Sequence, residues 1–224
     1  METLESLEFD TFRLSGGELK IYFIGHGTLM FDYAGYILHV DPVTAYADYR
    51  DLPPGDVILI THQHFDHLEK EALDKATGPS TVIILDNESA GILGKGTILR
   101  HGESLTLDKD VRVKAVPAYN TTEDRQAFHP KGRDNGYLIT FGGFTVYVAG
   151  DTEPIPEMGN LGKVDVAFLP MNQPYTMTPL QVAEATEKIQ PTILYPYHFG
   201  TTDTTALLRL MESKPTEVRI RSLA

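Results

Sequence analysis

The chain has 224 residues, of which 42% are hydrophobic and 22% are charged. These proportions are typical of a globular protein and exclude a disordered or fibrous chain. No long stretch rich in Pro, Gly and Ser separates two apolar regions. We therefore predict a single domain over residues 1–224.

The charge balance and the absence of cysteine exclude several classes of function. Lys and Arg number 19 and Asp and Glu number 31, which gives a net charge of −12. Long-range attraction to nucleic acid is therefore not expected. Without cysteine there are no disulfides, thiolate nucleophiles or Cys-based metal sites. The acidic residues 1–12 lack a signal-peptide pattern, and no run of about 20 apolar residues occurs, so we expect a cytoplasmic protein without a membrane span.

Short β-rich segments bounded by Gly, Pro or Asp occur along most of the chain. The predicted strands are residues 19–24, 29–34, 36–40, 57–60, 82–85, 97–99, 111–116, 137–141, 145–148, 164–169, 192–195 and 217–220. Gly142-Gly143 lies between two of them and predicts a two-residue hairpin turn.

Helix signals are fewer. The clearest helix is predicted from Thr178, which together with Gln181 forms a capping box, to about Gln190. The other predicted helices are residues 66–76, 87–93 and 204–211. Strands and helices alternate irregularly, which favours two packed β layers covered by helices over a regular βαβ repeat.

One segment carries a dense set of metal-binding side chains. His62, His64, Asp66 and His67 directly follow the apolar strand 57–60. His62 and His64 are two residues apart on an extended backbone and can point to the same side. Clustering three imidazoles and a carboxylate is costly unless something binds them. The segment therefore predicts a metal site.

Distant residues must complete such a site. Asp151 and His198 each end an apolar strand, a position from which a scaffold delivers functional side chains. Imidazole and carboxylate ligands suit Zn, Mn, Fe or Ni. For Asp151 or His198 taken alone, a cap, turn or hydrogen-bonding role is the more common explanation.

The segment His62-Gln63-His64-Phe65-Asp66-His67 resembles the HxHxDH signature of the metallo-β-lactamase superfamily. Further similar segments are Gly25-His26-Gly27-Thr28 with Asp41-Pro42, Gly150-Asp151-Thr152, and Tyr197-His198-Phe199-Gly200. The first of these resembles the lactonase-like and phospholipase-D-like branch. The resemblance implies an α/β fold, a four-layer αββα sandwich, with a metal pair at one edge.

The resemblance also implies a ligand set. His62 and His64 would bind the first metal, Asp66, His67 and His198 the second, and Asp151 would bridge the two. The family's third first-site histidine is missing, and Asn120 occupies the corresponding segment. Either the first metal is bound weakly or through Asn120, or His129 completes the first site from the following loop. We favour the weakened site.

The expected activity is hydrolysis of a small-molecule ester, lactone or phosphodiester by water activated between two divalent ions, with zinc expected first. Asp66 would orient that water and help to move its proton. The alternative is a metal-binding, non-catalytic protein that recognises a ligand or senses metal. The replacement at Asn120 is the sole support for that alternative.

Several neighbouring residues have two open interpretations. Asp41 either orients a ligating histidine or forms a turn, and His26 either faces the pocket or supports its own turn. His129 either lines the pocket or lies in solvent. Residues 125–133 carry three cations that would form an anion clamp or, as we favour, a solvated loop. Apolar pocket walls or core packing would equally explain Tyr119, Tyr175, Met177, Tyr197 and Phe199.

Overall fold

A computed structural model describes residues 4–224 and contains two seven-stranded sheets. The strands of the first sheet are β1 (Glu8–Leu14), β2 (Gly17–Gly25), β3 (Thr28–Tyr33), β4 (Tyr36–Val40), β5 (Gly55–Leu59), β6 (Thr77–Leu85) and β7 (Thr97–Ile98). They lie in chain order, β1 to β7. Pairing is antiparallel from β1 to β4 and parallel from β4 to β7.

The second sheet repeats this arrangement. Its strands are β8 (Ser104–Thr106), β9 (Val111–Ala118), β10 (Asp134–Phe141), β11 (Phe144–Val148), β12 (Val166–Pro170), β13 (Ile193–Tyr197) and β14 (Glu217–Val218). They also lie in chain order. Pairing is antiparallel from β8 to β11 and parallel from β11 to β14.

Four helices accompany the sheets within the described residues. They are α1 (Lys70–Ala76), α2 (Asn87–Leu93), α3 (Pro179–Ile189) and α4 (Thr204–Met211), with short 3₁₀ turns at Asp108–Asp110 and Pro156–Asn160. None of the helices in residues 4–224 is long and apolar enough to cross a membrane.

Two local sequence signals are confirmed. The Thr178 hydroxyl accepts a hydrogen bond from the Gln181 backbone N–H at 3.2 Å, and the Gln181 side chain accepts one from the Thr178 N–H at 2.9 Å. Gly142 and Gly143 have φ values of 52° and 91° and join β10 to β11 in a tight hairpin. Positive φ at both positions is the geometry that a type I′ turn requires.

The core follows from the alternation of side chains along each strand. On β2, Leu19, Ile21 and Phe23 face the second sheet, whereas Tyr22 and Ile24 join the cluster that packs on α1. Successive residues of a strand point to opposite faces, so an apolar residue at nearly every position indicates a strand buried on both sides.

The two sheets meet through aromatic side chains. Phe31 of β3 stacks on Phe141 of β10 with ring centroids 5.7 Å apart, and Phe23 contacts Tyr195 of β13 at 5.1 Å. Helix α1 covers the outer face of the first sheet, and α3 packs its apolar residues, among them Val182, against the second. The predicted αββα sandwich is therefore confirmed.

Some element boundaries were predicted incorrectly. β1 and β8 were not predicted as strands, because their pairing partners and not their own composition define them. Asp10 of β1 lies 2.8 Å from the Arg221 guanidinium, a contact across 211 residues that no local pattern reveals. The first three residues of the acidic terminus lie outside the described part of the chain. A single domain over residues 1–224 stays a prediction.

His39 on β4 makes the stability of this fold sensitive to acid. The ring is fully buried, and its Nε2 lies 3.0 Å from the Pro53 carbonyl oxygen. Burial lowers the pKa of His39 to about 4, although the Pro53 carbonyl partly opposes this shift. In the unfolded chain the ring takes up a proton near pH 6.5. Falling pH between 6.5 and 4 therefore favours unfolding.

We expect His39→Gln to remove part of this acid sensitivity, because glutamine keeps a donor for Pro53 but does not titrate. The His39 contribution amounts to about 3 kcal/mol near pH 4. Urea unfolding of the wild-type protein and of His39→Gln from pH 7.5 to 4.5 measures this contribution. All other titratable groups are present in both proteins, so the difference between the two pH profiles reports on His39. Parallel pH profiles of the free energy of unfolding would contradict the assignment.

Candidate metal centre

Most of the predicted ligands follow the carboxyl ends of parallel strands. His62 follows β5, Asp151 follows β11 and His198 directly follows β13, while Asp41 directly follows β4. Parallel strands run in one direction, so their carboxyl ends share one edge of a sheet and create a crevice there. Packing of the two sheets brings both edges together.

The loop that carries the signature motif is a turn and not the start of a helix. Residues 66–76 were predicted as one helix, but α1 begins only at Lys70. The backbone N–H groups of His67 and Leu68 both donate to the His64 carbonyl oxygen, at 3.0 and 2.8 Å. This turn leaves Asp66 and His67 free to point toward the same centre as His62.

The structure brings four side chains together in a first group. The ligand atoms of His62, His64, His129 and Asp151 all lie within 4.8 Å of one another. His129 is buried, and its Nε2 lies 3.4 Å from Asp151 Oδ2. His129 thus reaches the centre from its loop.

Asn120 lies nearby but its amide nitrogen is engaged elsewhere. Its Nδ2 donates to the Tyr175 carbonyl oxygen at 2.7 Å and to the Arg125 carbonyl oxygen at 3.2 Å. The side chain therefore joins two loops.

A second group shares Asp151 with the first. His67, Asp151 and His198 place their ligand atoms within 4.8 Å of one another, and so do His26, Asp66 and His198. Asp66 Oδ2 lies 3.4 Å from both His26 Nε2 and His198 Nε2. Asp151 is the one residue common to the group with His129 and the group with His67.

The hydrogen-bonding state of these atoms fits a metal. His67 Nε2, Asp151 Oδ1 and His198 Nε2 are buried without a hydrogen-bond partner. A buried polar atom left unpaired costs about 1–3 kcal/mol. Here three such atoms converge, since His67 Nε2 lies 3.6 Å from Asp151 Oδ1. Imidazole nitrogen and carboxylate oxygen are donors that divalent transition metals accept.

Two buried carboxylates orient histidines of the two groups. Asp41 Oδ2 lies 2.8 Å from His67 Nδ1, and Asp41 also accepts hydrogen bonds from Thr61. Asp134 Oδ2 lies 2.9 Å from His129 Nδ1. In both contacts the carboxylate binds Nδ1 and leaves Nε2 facing the centre. Histidines that bind metals are commonly oriented in this way by a carboxylate on the other ring nitrogen.

Glu153 anchors the loop that delivers His129. Its fully buried carboxylate accepts hydrogen bonds from the backbone N–H groups of Thr121 and Thr122, at 2.8 and 2.7 Å, and from both hydroxyls. Arg125 lies 3.5 Å away. Burial alone would raise the pKa of Glu153, but the bonds from the two threonines outweigh it and lower the pKa.

Sequence reasoning missed Asp134 and Glu153 as parts of the centre. Asp134 lies five residues after His129, and Glu153 lies two residues after Asp151. This spacing is only a weak sequence signal, because the contacts of both acids depend on how the loop folds.

Electrostatics adjust the protonation of the ligand groups. Burial lowers the pKa of His62 well below its usual value, with His67 and His129 adding to the effect, so the ring is neutral at pH 7. Burial also opposes a charge on His67, but Asp151 and Asp41 raise the pKa of His67 to about 9. The acids thus favour a positive charge at this point, which a metal supplies in exchange for the proton.

Gly27 permits close packing at the centre. A Cβ atom at this position would lie 2.8 Å from His67 Cε1 and 3.6 Å from His198 Cδ2. Any larger residue would displace the His67 ring, which explains why position 27 of the Gly25–Thr28 segment is a glycine. Beside it, the His26 ring lies against His198 with centroids 3.7 Å apart.

A cavity of about 320 Å³ opens over both groups. Asp66, His129, Asp151 and His198 contribute to its wall, and Tyr175 lines it as well. Of the other proposed aromatic or apolar wall residues, the buried core contains Tyr119, Met177, Tyr197 and Phe199.

The basic segment 125–133 does not line the cavity with free cations. Its cations pair with acids, namely Arg125 with Glu153 at 3.5 Å, Lys131 with Glu157 at 3.6 Å and Arg133 with Asp134 at 2.6 Å. The segment thus forms a loop whose cations are paired.

Comparison with known proteins identifies relatives of this chain. The profile of the beta-lactamase superfamily domain matches residues 20–198. The chain is similar to a solved structure of a candidate metal-dependent hydrolase from Parabacteroides distasonis, with 48% identity, a TM-score of 0.95, and coverage of 97% of this chain and 100% of that chain.

Two further relatives are more distant. A UPF0173 metal-dependent hydrolase of Exiguobacterium sp. is 31% identical, covering 82% of this chain and 87% of the relative. Igni18, a metallo hydrolase from Ignicoccus hospitalis, is 24% identical with a TM-score of 0.77, covering 92% of this chain and 96% of that chain, and shows the shared fold.

The fold and the centre are those of a metal-dependent hydrolase. The chain belongs to the beta-lactamase superfamily, as the resemblance predicted. The hydrolase relatives favour an enzyme over the non-catalytic alternative. The lactonase-like or phospholipase-D-like branch stays a prediction.

We expect Asp41→Asn and Asp134→Asn each to weaken metal binding about 10- to 100-fold, because each removes the acid that orients a histidine. Competition with a chromophoric chelator measures the dissociation constants. Asp74→Asn on α1, an exposed acid paired only with Lys95, is the matched control. Unchanged constants in both test variants would contradict the orienting role.

Proposed function

We propose that the protein hydrolyses a small ester, lactone or phosphodiester at a centre for two divalent ions. The observation that carries this proposal is the position of Asp151. Its buried carboxylate is shared by the group containing His62, His64 and His129 and by the group containing His67 and His198. One carboxylate between two sets of imidazoles is the donor arrangement that a metal pair requires.

The proposed ligands differ from the initial expectation at one position. We infer that His129 completes the first group, because His129 Nε2 faces Asp151. The Asn120 nitrogen donates to two carbonyl oxygens, so only its Oδ1, which is buried without a hydrogen-bond partner, could compete for that position. The second group is His67, Asp151, His198 and Asp66. Zinc is the first choice for this set, which Mn, Fe or Ni also suits.

Bound divalent ions supply Lewis-acid activation of water and of the substrate oxygen. The chain supplies the proton chemistry. About a quarter of the Asp66 side chain is exposed, on the cavity wall, and its Oδ2 lies 3.4 Å from His26. The pKa of Asp66 is lowered, because contacts with His198 and His26 outweigh burial. As an ionised carboxylate, Asp66 accepts a hydrogen bond from the attacking water, orients it and helps to move its proton.

His26 and the orienting acids have supporting roles. His26 is 13% exposed, and its Nε2 lies 3.4 Å from Asp66 Oδ2, a contact that helps to hold Asp66 in place. Asp41 and Asp134 keep His67 and His129 in the ring orientation that aims Nε2 at the centre. No side-chain nucleophile is needed for this chemistry, which agrees with the absence of cysteine.

We expect His129→Ala to lower the metal content from about two ions to about one per chain, because it removes one nitrogen donor of the first group. Asn120→Ala should retain about two ions. Elemental analysis of protein purified without chelator measures both, with melting temperatures recorded to exclude misfolding. Loss of an ion in Asn120→Ala but not in His129→Ala would show that Asn120 is the ligand.

Replacing Asp66 with Asn should lower kcat by about 100-fold or more, because the amide cannot accept the proton from water. Rates on a generic lactone, a carboxylic ester and a phosphodiester should be divided by the metal content of the same sample, with Asp74→Asn as control. Turnover that survives at the wild-type rate per bound metal would disprove the role of Asp66.

A further inference from the structure

Three aromatic side chains form the outer wall of the cavity above the metal centre. Phe128 and Tyr175 contact each other edge to face with ring centroids 5.1 Å apart, and Phe65 completes the wall. Phe65 is 86% exposed and Tyr175 is 45% exposed. A single exposed aromatic residue needs no explanation, but three around one polar centre form an apolar surface that a ligand would cover.

The wall offers no fixed positive charge. Within residues 4–224, no Lys or Arg lines this cavity. The cations of the neighbouring loop are already paired with acids, and Arg133 is held by Asp134 and by the Phe128 carbonyl oxygen. The Asn172 amide and the Tyr175 hydroxyl also lie at the cavity, and an amide N–H suits a neutral carbonyl or ether oxygen.

The aromatic wall is held in place by buried bonds. Asn120 is buried, and its donation to the carbonyl oxygens of Tyr175 and Arg125 ties together the two loops that carry Tyr175 and Phe128. A wall fixed before binding loses little freedom when a ligand arrives. The position at which the family usually has a third histidine thus serves here to shape the cavity.

We propose that Phe65, Phe128 and Tyr175 form a subsite for an uncharged, apolar acyl group, so that the substrates are carboxylic esters or lactones carrying an aliphatic or aromatic acid part. This proposal rests on the proposed hydrolase function and narrows it, since beyond the proposed metal ions the outer wall offers aromatic surface and, among residues 4–224, no Lys or Arg that would pair with a charged substituent.

Hydrolysis of p-nitrophenyl esters with a constant leaving group tests the subsite. For the metal-loaded protein we expect kcat/KM to rise about threefold to fourfold per methylene from acetate to butyrate, as apolar surface is buried. Phe128→Ala and Phe65→Ala should each reduce the increase of kcat/KM with acyl length, mainly by raising KM for the longer esters. Phe9→Ala, which removes an exposed aromatic on β1 outside the cavity, should keep it. Bis(p-nitrophenyl) phosphate should be a poorer substrate than the butyrate ester.

A binding measurement separates this proposal from the hydrolase function. The chain has no tryptophan, so Phe65→Trp introduces a single fluorescent reporter at the cavity rim. In the metal-loaded Asp66→Asn background, the uncharged probe phenylacetamide should change its fluorescence in a saturable way, and inorganic phosphate should not displace it.

The outcomes are distinguishable. Ester turnover without any dependence on acyl length, or a preference for the phosphodiester, would overturn the proposed subsite but would still support the proposed hydrolase function. Saturable binding of phenylacetamide without turnover of any substrate would support the subsite and overturn the proposed function. Neither turnover nor binding would overturn both.

Discussion

Burial of carboxylates is the constraint on which the centre depends. Asp41, Asp134 and Asp151 are almost fully excluded from water, and a buried charge is costly unless it is paired. Arg133 pairs with Asp134, and Asp151 and Asp41 raise the pKa of His67 and so favour a positive charge on its ring. A divalent cation would supply that charge in place of the proton, and the unpartnered atoms of His67, Asp151 and His198 converge where such ions would be held. The donor set therefore makes sense as a metal centre and not as ordinary core packing.

The sandwich supplies the rigidity that this cluster requires. His26, Asp41 and His198 all have positive φ, at 52°, 46° and 49°, an uncommon conformation for residues other than glycine. Such positions cost stability and persist where the surrounding structure determines them. Here Asp41 and His198 directly follow buried strands, and the His198 N–H donates to the His26 carbonyl oxygen. Packing of the two sheets thus stabilises strained loops at the edge where chemistry takes place.

The loop from Asn120 to Arg133 would connect the proposed metal binding with the proposed apolar subsite. Glu153 anchors its beginning, and Asp134 directly follows its end. Between them the loop carries His129 into the centre and Phe128 into the cavity wall. A change in this loop is therefore expected to affect both the ion and the apolar subsite, because neighbouring residues serve the two purposes.

The sequence by itself determined the cluster His62–His67, most strands and the family, because a dense run of ligands after an apolar strand and short β-rich segments bounded by Gly, Pro or Asp are local properties. It also identified Asp151 and His198 as residues at strand ends that could complete the metal site. Only the tertiary structure placed His129 beside Asp151, from which we infer its part in the first group, and it alone brought Asp134 beside His129 and Glu153 beside the start of the same loop. The physical reason is that a loop's path depends on which buried acids bond its backbone and side chains, and those contacts join residues that no local pattern relates.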